Sequence, residues 1–256
     1  MIAFIMAMIL AASAQARGAR ETVGSSSSVR ESTEASPQGD PYKLYWELQC
    51  VANAIGGTDS SKIRCLGEGY QKAWMRLQEK GLRVPGKVER EHFWAQIFHE
   101  SGRLRNMTQD GASKHYKGRG PIQLTHCYNY ASFARFVRTY RNDGSALAMN
   151  TRSSCRGNTP PADLKNDPIM VDPESALGES ASSCELQALS SIWFVENKKV
   201  ADELRNKRSR KGQPTFRQAL NSRNVTAVTK KINGGTIGLS ERQNFYSKIQ
   251  NSGCVR

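Results

Sequence analysis

Glu91-His92-Phe93-Trp94-Ala95-Gln96-Ile97-Phe98-His99-Glu100-Ser101-Gly102 is the stretch from which the rest of the chain can be read. Phe93, Ile97 and Glu100 follow one another at four and three residues, the spacing of one helix face. Two apolar members turn that face inward, and Glu100 continues it where a third apolar residue is expected. Gly102 predicts the helix stop. Glu100 then belongs to the last turn, at the edge of a core and near the partially negative helix end. Burial and that dipole both disfavour an ionised carboxylate, and a general acid working near neutrality needs the protonated form. The plain alternative is a surface glutamate paired with Arg103 or Arg105. A zinc-protease reading of His99-Glu100 fails, because Arg103 stands where the second histidine is required.

Outward from this stretch, residues 1–16 are apolar and end in Ala14-Gln15-Ala16, which predicts a secretory signal cleaved after Ala16. The run is too short to span a membrane. Residues 17–40, rich in serine, glycine and charge, read as a disordered linker. The stretch from 41 to 256 is long enough for one well-packed domain. Six cysteines follow the signal, and an even count in an exported chain predicts three disulfides. Cys50 with Cys65 is the favoured local pair; Cys127 with Cys155 and Cys184 with Cys254 complete the set. The net charge of +14 favours a polyanionic partner. No nucleic-acid motif accompanies it, so an anionic cell wall suits an exported chain better than nucleic acid. The expected location is secreted or periplasmic, as a monomer.

Helical patterns dominate. Tyr42 to Ile55 carries a stripe through Leu44, Trp46, Leu48 and Val51, and Leu66 to Lys80 is a second helix stopped by Gly81. The Gln218–Ile232 region reads as helix. Ser182 with Glu185, and Ser240 with Gln243, read as capping boxes ahead of two more. The fold class is therefore mainly α.

Tyr116-Lys-Gly-Arg-Gly-Pro-Ile-Gln-Leu-Thr125 is the second informative stretch. Gly118 and Gly120 permit a tight turn, and Pro121 fixes its exit. Ile122 to Thr125 alternates apolar and polar, a strand period that puts Gln123 and Thr125 on one face. Such a face suits sugar hydroxyls, amides or a water; it equally suits an ordinary hairpin facing solvent. Tyr128 and Asn129 follow, and aromatics there can stack on sugar rings. Asn233-Gly234-Gly235 reads as a turn between helices, and Arg242, by default, as an exposed arginine.

Taken in order, five segments resemble glycoside hydrolase family 19, the plant-type chitinases and their bacterial and phage lysozyme-like relatives. They are Phe93–Gly102, Tyr116–Tyr130, Asp163–Pro168, Ser191–Phe194, and Lys231–Gly235 followed by Glu241–Tyr246. The resemblance implies a lysozyme-like α+β fold with a small hairpin beside a long substrate cleft. It implies Glu100 as general acid and Thr125 as a holder of the attacking water. Gln123, Tyr128, Asn129, Asn233 and Arg242 match cleft positions, and His99 and Tyr116 are counted with them as substrate-binding candidates. No cofactor and no metal is expected. The implied partner is a β-1,4-linked amino-sugar polysaccharide, peptidoglycan favoured over chitin, with N-deacetylated glycans left open.

The chain departs from the family at the second carboxylate. An inverting pair stands roughly 6.5–9.5 Å apart around a water, and between Glu100 and Tyr116 the sole acid is Asp110. Asp110 is either that base or a turn aspartate in Gln109-Asp110-Gly111. Without it, Glu100 acts with a substrate-assisted step, or closes an anhydro ring as lytic transglycosylases do. A non-catalytic glycan-binding protein is the reading from another class.

Overall fold

The structure is a computed structural model that describes residues 43–56, 60–110, 115–142, 147, 149, 153–209 and 214–256. The expected signal and linker lie outside the described residues. The elements are α1 (Lys43–Ile55), α2 (Ser60–Glu79), α3 (Lys87–Glu100), α4 (Cys127–Arg141), a 3₁₀ turn (Ala162–Leu164), α5 (Pro168–Val171), α6 (Pro173–Leu177), α7 (Cys184–Ser209), α8 (Phe216–Leu220), α9 (Val225–Asn233) and α10 (Leu239–Ser252). The fold is mainly α, and among the described residues no helix is long and apolar enough to cross a membrane.

α3 is the centre of the fold, packed against α8, α9 and α10. Phe93 and Ile97 are buried, and so are Trp94, Ala95 and Phe98. The helix is thus enclosed on more than the one face that the spacing indicated. Several of its buried polar groups are matched from neighbours, which keeps their desolvation tolerable, while His92 Nδ1 has no hydrogen-bond partner among the described residues. Glu47 of α1 accepts from Arg90 Nε at 3.1 Å and from Trp94 Nε1 at 2.6 Å. His92 Nε2 meets the Ser222 carbonyl at 2.7 Å. The stop at Gly102 is a Schellman turn: Gly102 has φ 54°, Arg103 N donates to Phe98 O at 2.6 Å, and Gly102 N to His99 O at 3.1 Å.

Around it, α1 buries Leu44, Leu48, Val51 and Ile55, at spacings of four, three and four. Trp46 lies off that stripe and is exposed, a correction to its inclusion above. α2 starts at Ser60, well over one turn before the Leu66 expected. The Gln218–Ile232 region is two helices. Thr215 and Gln218 form a capping box on α8, and the Asn224 side chain accepts from Ala227 N on α9.

Neither expected capping box forms. At α7 the hydroxyl of Ser183, not Ser182, accepts from Leu186 N at 3.2 Å. Glu185 instead binds Arg76 and the Tyr140 hydroxyl across to α2 and α4. At α10 the N-cap is Gly238, which has no side chain to offer.

The disulfides are Cys50–Cys254, Cys65–Cys184 and Cys127–Cys155. The last agrees with expectation; the Cys50–Cys65 and Cys184–Cys254 pairs are overturned. Short loops close easily, which favoured the local pair, but helix packing decides the partners. α1 lies against α10, whose end leads to Cys254, and α2 lies against α7, whose first residue is Cys184.

The expected strand at 122–125 is also corrected. Arg119 and Leu124 exchange backbone hydrogen bonds of 3.1 and 2.8 Å, and Thr108 and Arg119 form a second isolated bridge. Gln123 at φ 51° and His126 at φ 72° break the extended run. The alternation survives in burial, since Ile122 and Leu124 point into the core while Gln123 and Thr125 are half-buried.

Candidate active site

Four parts of the chain, together with Ser153, line a cleft of about 710 Å³. The end of α3 contributes Glu100. The glycine turn and the first turn of α4 contribute Gln123, Thr125, Tyr128 and Asn129. The end of α9 contributes Asn233, and α7 contributes Phe194, Asn197, Lys198, Ala201 and Arg205 along one face. Of the sequence candidates, six therefore share one cavity.

Glu100 is fixed from behind. Arg242 Nη2 donates to Glu100 Oε1 at 2.6 Å, and Arg242 Nη1 donates to Gln96 Oε1, one turn earlier on α3. Arg242 is almost completely buried, which replaces the default reading of an exposed arginine. Gln96 in turn reaches Thr229 of α9 at 3.5 Å. Glu100 is neither an isolated core-edge carboxyl nor a partner of Arg103 or Arg105. It belongs to a polar line running from α9 through α3 to α10. Among the described residues, its Oε2 has no hydrogen-bond partner.

Another part of the lining is built by the glycine turn. The Gln123 amide folds back, donating to Asn106 O at 3.0 Å and Gly120 O at 3.1 Å. Gly118 is needed there, because a Cβ would stand 2.7 Å from Gln123 Oε1. Gln123 thus braces the turn with its donors. Thr125 donates its hydroxyl proton to Gln123 O at 2.7 Å, which leaves its lone pairs to accept. Asn129 Nδ2 holds Thr125 O at 2.8 Å, and Asn233 Nδ2 holds Ile237 O at 3.0 Å, so each presents its amide oxygen as the free polar end. Tyr128 is half exposed, its ring stacked on His126 at 5.4 Å. That pair is an aromatic platform at the cleft edge. Arg119 anchors the whole turn to α6 through Glu174 at 2.8 Å.

Three candidates lie elsewhere. Tyr116 is buried beneath the turn, with its hydroxyl donating to Met170 O at 3.3 Å. His99, one residue before Glu100, faces α10 and pairs Nδ1 with Glu241 Oε2 at 2.7 Å. Asp110 is exposed and does not line the cleft, and residues 111–114 beside it are outside the described residues. Among the described residues Glu100 is the one carboxylate in the cleft lining, and no group of three or more His, Cys, Asp or Glu is placed to hold a metal ion.

The sequence reading missed the α7 wall. Its signal was present in the spacing of Phe194, Lys198, Ala201 and Arg205 at four, three and four, but the same spacing describes any exposed helix face. Compared with protein-family models and with curated proteins, the chain finds no match.

Proposed function

We propose that the protein is an exported enzyme that cleaves β-1,4 bonds in amino-sugar strands, with peptidoglycan favoured over chitin and Glu100 as general acid. The observation that supports this most is the placement of Glu100. Among the described residues it is the one carboxylate lining an open cleft, clamped at one oxygen by buried Arg242 and sharing that lining with hydroxyl and amide acceptors. With Oε1 held, Oε2 is the oxygen that carries the proton to the glycosidic oxygen as the C–O bond breaks. Water, donating a hydrogen bond to the Thr125 hydroxyl, attacks the anomeric carbon, and the proton it sheds passes through solvent to the carboxylate that Glu100 became when it protonated the leaving oxygen. The Tyr128–His126 platform offers a face for a sugar ring. Export agrees with three disulfides, which persist in oxidising compartments.

The absence of a second described carboxylate from the lining favours one further reading. Glu100 would act first as acid and then as base, drawing a proton from a hydroxyl of the same sugar and closing an anhydro ring. Water then plays no part.

The test is digestion of purified peptidoglycan, native and N-deacetylated, alongside chitin and chitosan, with mass spectrometry of the products. Free reducing ends establish hydrolysis and name the glycan. Anhydro ends establish the ring-closing route. Binding to the solid with no released fragment defeats both and leaves a glycan-binding protein.

A further inference from the structure

We infer that Lys198 and Arg205, on the α7 wall of the cleft, form a docking site for a carboxylate carried by the bound strand. The inference rests on the glycan reading above and assigns the part of the cleft that reading leaves unused.

The two cations stand seven residues apart on α7, two turns and roughly 10 Å along one face, and both line the cleft. Lys198 lies 5.2 Å above the Phe194 ring and donates to Lys231 O at 3.4 Å, contacts that orient an ammonium without neutralising it. Among the described residues neither Lys198 nor Arg205 has a carboxylate partner. The acids nearby are all engaged. Asp202 holds Lys231 at 2.9 Å and the Phe216 N–H at 2.7 Å. Glu203 holds Arg217 at 2.8 Å, and Glu196 is buried against Lys199. Glu100 holds Arg242.

With Glu100 already paired to Arg242, the described lining carries two positive charges that no carboxylate matches. Burial lowers the Lys198 pKa, and the neighbouring Arg205 lowers it further, against an opposing pull from Asp202. Two like charges on one partly desolvated wall are mutually unfavourable until an anion lies between or beside them. A neutral glycan cannot relieve that, whereas a strand bearing carboxylates can.

The experiment uses the full disulfide-bonded chain carrying Glu100→Gln, so that ligands bind without turnover. Calorimetry compares a neutral β-1,4 N-acetylglucosamine oligosaccharide with a muropeptide-type strand of the same length bearing carboxylates. The charged strand is expected to bind about tenfold tighter at low salt, with the advantage shrinking as salt rises. Lys198→Gln and Arg205→Gln should each remove about three- to tenfold from the charged ligand, and several times less from the neutral one. Arg205 is exposed, so its variant tests the site even where Lys198→Gln impairs folding.

Equal affinity for the two strands, or equal losses for both, overturns the assignment. If that pattern holds but the unsubstituted protein releases nothing from the charged strand, the docking site stands and the catalytic reading falls. If the protein cleaves both strands and is indifferent to either substitution, the catalytic reading stands and the docking site falls.

Discussion

Arg242 of α10 and Glu100 of α3, 142 residues apart in the chain, meet at 2.6 Å through Nη2 and Oε1, with the arginine almost fully buried. Neither side chain has its role without the other. Removing the carboxyl leaves a buried guanidinium short of an acceptor, and removing the guanidinium takes the donor from Glu100 Oε1 and from Gln96 Oε1.

Glu100→Gln should keep the fold, because the amide oxygen can still accept from Arg242. Activity should fall by about 10²- to 10⁴-fold, the usual contribution of a general acid. The release of reducing or anhydro ends from peptidoglycan measures it. Full activity in this variant would sink the proposed chemistry.

Arg242→Met keeps much of the volume and removes the donors. Stability should drop by about 2 kcal/mol, the scale for hydrogen bonds to charged groups, read from urea midpoints. Activity should fall as well, since Glu100 loses its fixed oxygen. In the double variant with Glu100→Gln, activity should fall no further than in Glu100→Gln alone, because the arginine acts through the glutamate. Independent, multiplying losses would show that Arg242 has a role of its own.

Much of this was legible in the sequence, and the rest was hidden for physical reasons. The helix carrying Glu100, its Gly102 stop and the burial of Ile122 and Leu124 all follow from local spacing. The Arg242 pairing does not, because it depends on how α10 is laid against α3. Two disulfides failed for the same reason, their partners being set by which helices pack. The strand at 122–125 failed because Gln123 and His126 adopt positive φ, which no glycine announced. The α7 wall was invisible because Lys198 and Arg205 look in sequence like any solvated helix face.

His92 supplies a pH dependence. It is wholly buried, stacked on Tyr246 at 4.3 Å, and burial pushes its pKa down to about 4, against the Ser222 carbonyl that favours the protonated ring. The folded state keeps the ring neutral where the unfolded chain, near the ordinary 6.5, takes up a proton. The unfolded state thus binds more protons between pH 6.5 and 4, so the contribution is present above about 6.5 and lost as pH falls through that window. The loss amounts to about 3 kcal/mol by pH 4. In His92→Gln, which can still donate to Ser222 O, that acid-limb slope should be missing. Urea midpoints at pH 4.5 and 7.5 decide it: the gap between the two proteins should narrow at the lower pH, and a constant gap would refute the assignment.

Cys127–Cys155 closes the shortest of the three loops, a separation of 28 residues against 119 and 204. On loop entropy its removal should cost least, about 3–4 kcal/mol compared with about 5 for Cys50–Cys254. It should nevertheless cost most in function. Cys127 opens α4 between His126 and Tyr128, and Cys155 lies two residues from Ser153, and these neighbours all line the cleft. Replacing both cysteines with alanine should therefore lower the rate of wall digestion more than the Cys50/Cys254 replacement does, while lowering the melting temperature less. A rate loss that simply follows the melting temperature would contradict this.

Gly238 ties His99 to the placement of Arg242. It caps α10 at φ 71°, its carbonyl accepts from Arg242 N at 3.0 Å, and a Cβ there would lie 2.1 Å from the His99 ring. The ring cannot easily move aside, because Nδ1 is held by Glu241 at 2.7 Å. Gly238→Ala thus meets two obstacles, a backbone conformation that costs an alanine about 1–2 kcal/mol and a collision with an anchored side chain. The α10 start should shift, carrying Arg242 away from Glu100, so activity should fall together with stability. Adding His99→Ala opens the space without changing φ. Part of the lost stability and part of the activity should return in the double variant, the remainder being the backbone cost. If His99→Ala restores nothing, the collision is not what places α10, and the backbone conformation alone accounts for the glycine.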